Sequence, residues 1–201
     1  MNSGVLLSGG MDSAIALYWA RVRRGGLTAW SIDYGQKHKR ELVAAKAIAK
    51  AAGVPHRQLK LGVPWPPIGS NNVIVGRNLA MLNTIGAQLA VRGGGDTVEI
   101  IIGATREDFD GFPDCRPEFM AAASRALTLG FGVETFVIAP FVTQPKAEML
   151  KEARTMPGAW DAIGMSWTCY LGGDAPCGAC SACVKRAEAF ATAGLEDPWH
   201  A

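Results

Sequence analysis

Residues 4–7, GVLL, form a short apolar run that ends in SGGMDS and passes without a gap into Ala14–Arg24, a segment of helical length rich in Ala, Leu, Tyr and Trp. A strand, a glycine turn and a helix in that order commit the chain to fold the helix back over the sheet that receives the strand. The same alternation continues. LTAWSID (27–33) has the composition of a buried strand. Glu41–Ala52 places Leu42, Ala45, Ile48 and Ala52 on one helical face, with Gly53 as its stop. HRQLKL (56–61) predicts a third strand, and Asn78–Arg92 a helix with Leu79, Leu82, Ile85 and Leu89 inward. VEIIIGA (98–104) is the most strand-like run, followed by a helix over Glu118–Leu129, the strand TFVIA (135–139) and a helix over Lys146–Arg154. Five strands separated by helices predict an α/β fold, a doubly wound parallel five-stranded sheet with ligands at the carboxyl ends of its strands.

Two segments break the rhythm. Residues 62–76, GVPWPPIGSNNVIVG, carry Pro, Gly and Asn and predict a covering loop. After Met156 the chain turns to Trp, Gly, Pro and Cys, so a nucleotide-binding core over 1–155 and a metal-tied C-terminal lobe over 156–201 are expected within one domain.

Composition adds little on partners. The 201 residues carry a net charge of only +2, which by itself does not argue for a protein that coats nucleic acid or a membrane surface and leaves the partner open. No apolar run approaches the roughly 18 to 20 residues that cross a bilayer. No basic stretch precedes an apolar one at the N-terminus, and the expected setting is cytoplasmic. In a reducing compartment the crowding of four of five cysteines into 169–183 points to a metal rather than to disulfides.

The glycine turn offers an anion cradle. Backbone amides at Gly9 and Gly10, the hydroxyls of Ser8 and Ser13 and the positive end of the following helix can face a phosphate. The turn lacks both the lysine of a Walker loop and the GxGxxG of a dinucleotide fold. A plain strand-to-helix turn with Ser13 as helix cap is the bland alternative. The string resembles the SGGxDS pyrophosphate loop of the N-type ATP pyrophosphatases, which cleave ATP between its α and β phosphates. That resemblance implies ATP and Mg²⁺ as cofactors and pyrophosphate held by Leu7, Ser8, Gly9, Gly10, Met11, Asp12 and Ser13.

Three later stretches narrow the family. DYGQKHKRELVAA (33–45), GATREDFDGFPDCRPEF (103–119) and CYLGGDAPCGACSACVKRAEAFATAGLEDP (169–198), with SGGMDS, resemble the 7-cyano-7-deazaguanine synthase family, QueC, in order and spacing from end to end. The resemblance implies an adenine nucleotide α-hydrolase-like enzyme, active as a homodimer, that takes 7-carboxy-7-deazaguanine, ammonia and ATP to the nitrile preQ0. No stable nucleic-acid binding is expected. A carboxylate must first be adenylated before ammonia can open it to an amide. The amide oxygen must then be adenylated by a second ATP before AMP leaves and the C≡N bond forms.

Residue by residue, the resemblance implies catalytic roles for Asp12, Ser13, Arg77 and Lys146, and adenosine or phosphate contacts for Asp33, Tyr34, Gln36, His38, Asn78 and Gly103. Without it, Arg77, Asn78 and Lys146 read as solvated helix-end residues and His38 as a loop histidine. Asp108, Asp114, Cys115 and Arg116 follow the strongest strand, where carboxylates can accept from a deazaguanine base and Arg116 can hold the substrate carboxylate. An Asp–Arg loop clamp is the alternative there. Cys115 is expected to line the pocket, since the route needs no covalent enzyme intermediate.

Cys169, Cys177, Cys180 and Cys183 give C-x7-C-x2-C-x2-C, four soft ligands with glycines between them. Four thiolates with no open position describe structural Zn²⁺. An iron–sulfur cluster competes, but Ala187 occupies the place of the next ferredoxin cysteine.

The chain departs from the family pattern ahead of VGRN, where the loop is short and Val75 replaces a proline. Such trimming leaves open a reaction that stops at 7-amido-7-deazaguanine. Two readings from other classes also stand: an ATP pyrophosphatase that modifies a tRNA base, and a non-catalytic zinc module.

Overall fold

The computed structural model describes residues 1–36, 39–62, 74–92, 97–109 and 111–200; His38 and most of the 62–76 loop lie outside them. Strands β1 (Asn2–Leu6), β2 (Leu27–Asp33), β3 (His56–Lys60), β4 (Thr97–Ile101) and β5 (Glu134–Ile138) form one sheet in the order β3-β2-β1-β4-β5. Every pairing is parallel, with Val5 opposite both Ala29 and Ile101. The chain builds outward from β1 to β3, then crosses to β4 on the other side. The gap between the carboxyl ends of β1 and β4 is therefore the topological switch point where such sheets bind ligands.

Seven helices fill the connections among the described residues: α1 (Met11–Arg21), α2 (Arg40–Ala51), α3 (Arg77–Arg92), α4 (Pro117–Phe131), α5 (Lys146–Ala153), α6 (Ala159–Met165) and α7 (Ser181–Ala193). Alternation along β4 sends Val98 and Ile100 to one face of the sheet, packed with Leu82, Ile85 and Met120 of α3 and α4, and Ile101 to the other. On that second face α1 is buried almost all round, which its Ala-, Ile- and Leu-rich sequence permits. Pro117 starts α4, and Gly132 in the left-handed region ends it.

One sequence expectation is adjusted and another is met. Leu79 is 42% exposed, because α3 turns Met81, Leu82, Ile85 and Leu89 to the core instead. HRQLKL forms the edge strand β3 with three of its five residues exposed, so it lacks the apolar pattern of the inner strands. The segment from residue 156 contains α6 and α7 and contributes Ala159, Ile163, Ala189 and Phe190 to the core cluster around α1.

Candidate active site

The turn after β1 is shaped by close approaches. Gly9 has φ 92°, and a Cβ there would fall 1.9 Å from the Glu41 carbonyl oxygen at the start of α2, so only glycine fits. The Gly9 carbonyl accepts from the Trp167 amide at 2.8 Å. Ser8 and Ser13 hydroxyls meet at 3.0 Å, and Ser13 Oγ donates to the Gly10 carbonyl at 2.9 Å. Gly103, just past β4, backs onto the same helix start; a Cβ there would come within 2.5 Å of the Asp12 carbonyl carbon. The first amides of α1 thus open toward the switch point with no intrahelical acceptors.

Charge gathers beside these amides. Lys146, the first residue of α5, places Nζ 2.5 Å from Asp12 Oδ2 and 3.5 Å from Asp108 Oδ1. Its backbone N–H donates to Glu107 Oε1 at 2.8 Å. Asp108 is held in turn, its Oδ2 accepting from both the amide and the hydroxyl of Thr105 at 3.0 Å. Burial pushes the Asp12 carboxyl above its usual range, and Lys146 opposes that rise. Burial would lower the Lys146 ammonium, but the charges of Asp12 and Asp108 outweigh it and raise it. Asp12 Oδ1 is buried without a hydrogen-bond partner among the described residues. An orphaned carboxylate oxygen at an anion cradle fits a hard cation such as Mg²⁺.

The cleft around this cluster is lined by Ser8, Gly10, Met11, Asp12, Ser13, Gly103, Asp108 and Lys146, all singled out in the sequence. The rest of its lining was not foreseen. It comprises Trp167, Thr168, Tyr170, Ala182, Lys185 and Arg186 from the C-terminal segment, with Glu41 and Phe112 at the sides. Arg186 is only 2% exposed and uses all five N–H donors: two on Asp197 (2.7 and 2.8 Å) and the others on Ser166 Oγ, Thr168 Oγ1 and the Ile163 carbonyl. A helical signal for it existed, since Cys183, Arg186, Ala189 and Phe190 recur at three- and four-residue steps on the buried face of α7.

A second group of expected residues lies together. Arg77 stacks over the Tyr34 ring at 5.5 Å with Nη1 3.4 Å from its hydroxyl, and Tyr34 N donates to Gln36 Oε1 at 3.0 Å. Asp33 accepts from Lys39 Nζ at 2.6 Å and from the Gly35 amide at 3.2 Å, which lowers its carboxyl. Asn78 Nδ2 donates to the Asp114 carbonyl at 3.4 Å and lies 3.8 Å from Cys115 Sγ, so the start of α3 meets the FPDC turn. Burial, then Asp108 and Asp114, push the Cys115 thiol up to about 12. Arg116 is exposed and donates twice to the Phe109 carbonyl, at 3.2 and 3.0 Å.

The sulfurs of Cys169, Cys177, Cys180 and Cys183 all lie within 4.8 Å of one another and could hold one metal ion. Cys169 Sγ accepts from the amides of Leu171 and Cys177, and Cys177 Sγ from that of Cys180 at 3.3 Å. Such donors stabilise thiolate character. Trp167 Nε1 donates to the Cys169 carbonyl at 2.8 Å, joining this cluster to the SGGMDS turn.

Solved structures with this architecture include a predicted subunit of tRNA methyltransferase from Methanocaldococcus jannaschii, at TM-score 0.51 and 18% identity, covering 77% of this chain and 76% of that one. The U34-tRNA thiolase NcsA from Methanococcus maripaludis, solved with its 4Fe-4S cluster, gives TM-score 0.50 at 14% identity, covering 98% and 66%. Both likenesses speak for the fold alone. Sequence relatives reach further. The 7-cyano-7-deazaguanine synthase of Laribacter hongkongensis is 37% identical over 214 residues, 96% of this chain and 92% of that protein. The synthase of Psychrobacter cryohalolentis is 36% identical over 234 residues, 99% and 89%. The family model for queuosine biosynthesis protein QueC matches residues 3–65 and 67–194, which takes in the phosphate turn, the Lys146 cluster and all four clustered cysteines. With the site and the alignment running the length of the same chain, this protein belongs to the QueC family.

Proposed function

We propose that this protein is a 7-cyano-7-deazaguanine synthase, using ATP and ammonia to convert 7-carboxy-7-deazaguanine to the nitrile. The observation that carries the reading is the placement of Asp12, Asp108 and Lys146 around the SGGMDS turn, at the switch point of a chain that aligns with such synthases.

The carboxylate oxygen of the substrate attacks the α phosphorus of ATP, and the α–β bridging oxygen leaves with the electron pair as pyrophosphate. The resulting acyl adenylate is opened by ammonia, giving amide, AMP and a proton. The amide oxygen attacks a second ATP in the same way. Loss of AMP and of both amide protons then leaves the nitrile. In both rounds negative charge grows on the departing pyrophosphate, beside the α1 amides and the Ser8 and Ser13 hydroxyls, donors already oriented before reaction. Leu7, Gly9, Gly10 and Met11 shape the cradle, and Gly103 leaves room for it. Asp12 and Asp108 would hold Mg²⁺, which when bound screens phosphate charge. Lys146 pairs with both carboxylates and holds them in place. Asp33, Tyr34, Gln36, Arg77 and Asn78 form the side where adenosine and the adenylate would lie, and Asp114, Cys115 and Arg116 the side for the base.

The four cysteines fit structural Zn²⁺. Zn–S bonds of about 2.3 Å place tetrahedral sulfurs roughly 3.8 Å apart, close to the 3.5 and 4.0 Å of Cys180 and Cys177 to Cys183. An iron–sulfur cube would hold its sulfurs further apart.

The test is mass spectrometry of nucleobase products alongside AMP and pyrophosphate. Nitrile with two AMP per product is expected. Amide with one AMP would set a different endpoint, and absence of substrate-dependent AMP would overturn the reading.

A further inference from the structure

Three cations line the cleft: Lys146, Lys185 and Arg186. Two of them are already committed. Lys146 sits between Asp12 and Asp108, whose two negative charges more than offset its own. Arg186 is buried against Asp197 and has no donor left to offer. Lys185 differs from both. It lies in the second turn of α7, is exposed, and its side chain makes no ion pair or hydrogen bond among the described residues. It lines the same cleft as the Ser8–Ser13 turn.

A polyphosphate entering this cleft meets Asp12, Asp108 and Glu41 as well as the cradle amides. The turn's own segment supplies no lysine to balance it. We infer that Lys185 provides that charge, contacting the β and γ phosphates of ATP and then the pyrophosphate that leaves. The lysine missing from the SGGMDS turn is thus delivered from α7, by a flexible four-carbon stem suited to following a phosphate as it separates. No proton moves to or from Lys185; it balances the electron pair that departs on the α–β bridging oxygen. The inference rests on the ATP-pyrophosphatase chemistry proposed above and names a phosphate contact in that site.

The test compares the full-length protein with Lys185→Met and Lys185→Arg, after metal content and melting temperature are matched. Inorganic pyrophosphate, ATP and AMP are titrated calorimetrically with Mg²⁺, and steady-state kinetics follow. Loss of one charge-assisted contact should weaken pyrophosphate and ATP by about tenfold or more in Lys185→Met. AMP binding should stay unchanged, and Lys185→Arg should recover most of the loss. Equal pyrophosphate binding by Lys185→Met and wild type, or a loss of AMP binding in the same proportion, would overturn the assignment. Wild-type protein that binds pyrophosphate but forms no nitrile would overturn the synthase reading, while the binding comparison still decides the role of Lys185.

Discussion

The backbone N–H of Trp167 donates to the carbonyl of Gly9 at 2.8 Å, and the indole of the same residue donates to the carbonyl of Cys169. One residue thereby bridges the SGGMDS turn and the cysteine cluster. Arg40 stacks over that indole at 5.0 Å and donates to the Gly172 carbonyl and the Asp174 carboxylate, fixing the same loop to α2.

Removing the metal should therefore do two things. Cys180→Ser, or chelation, is expected to lower the melting temperature by about 10 °C, roughly 3 kcal/mol for a chain of this size. It should also weaken pyrophosphate binding, because the Trp167 contact to Gly9 loosens. Metal analysis, thermal unfolding and pyrophosphate titration check both effects. A stable, metal-replete and inactive Cys180→Ser would assign the cluster to chemistry instead.

Lys146→Met leaves Asp12 and Asp108 facing each other without their shared cation, and should cost about 3 kcal/mol. Asp12→Asn removes one of those charges, so it should keep the fold and lower kcat by about a hundredfold or more. The pH dependence follows from the direction of the shift. The Lys146 ammonium is raised above the usual 10.5, so its stabilising charge is fully present below that pH and is lost as pH rises through the higher folded value. Denaturant unfolding should show a wild-type advantage over Lys146→Met at pH 7 that shrinks as pH rises above about 10.5.

Cys115 should be a quiet thiol. With its ionisation pushed up to about 12, almost none is thiolate near neutrality, and iodoacetamide should label it far more slowly than an ordinary cysteine. Cys115→Ser should keep kcat within about threefold, since no covalent enzyme intermediate is formed in the proposed route. Peptide mass spectrometry after timed alkylation and a rate assay are the checks. A loss of about a hundredfold in kcat would make this thiol a nucleophile.

Gly103→Ala tests the approach of β4 to the phosphate turn. Its Cβ would lie 2.5 to 2.6 Å from backbone atoms of Asp12 and Ser13, which cannot swing aside as a side chain can. A cost of about 2 kcal/mol is expected, with ATP affinity reduced as the turn is displaced. Unaltered stability and affinity would mean that this approach has slack.

Arg186→Met should be more damaging still, at about 3 to 5 kcal/mol. It leaves Asp197 unpaired and strips Ser166 Oγ and Thr168 Oγ1 of their donor. Denaturant unfolding measures the loss, and Arg186→Lys should recover only part of it, because a lysine cannot reproduce the two-point contact with Asp197.

The sequence by itself determined the alternation of strands and helices, the glycine turn after β1 and the cysteine cluster. Each is written in neighbouring residues: an apolar period, two glycines before a helix start, thiols at short fixed spacing. Tertiary structure alone decided that Lys146 would face Asp12 across 134 positions, that Trp167 would hold Gly9, and that Lys185 and Arg186 would wall the cleft. It also turned Leu79 outward and made HRQLKL an edge. The physical reason is that a local pattern states which face of an element is apolar but not which other element will cover it. That choice is made by strand order and by the packing of α5, α6 and α7 around α1, from which Lys146, Lys185 and Arg186 reach the cleft.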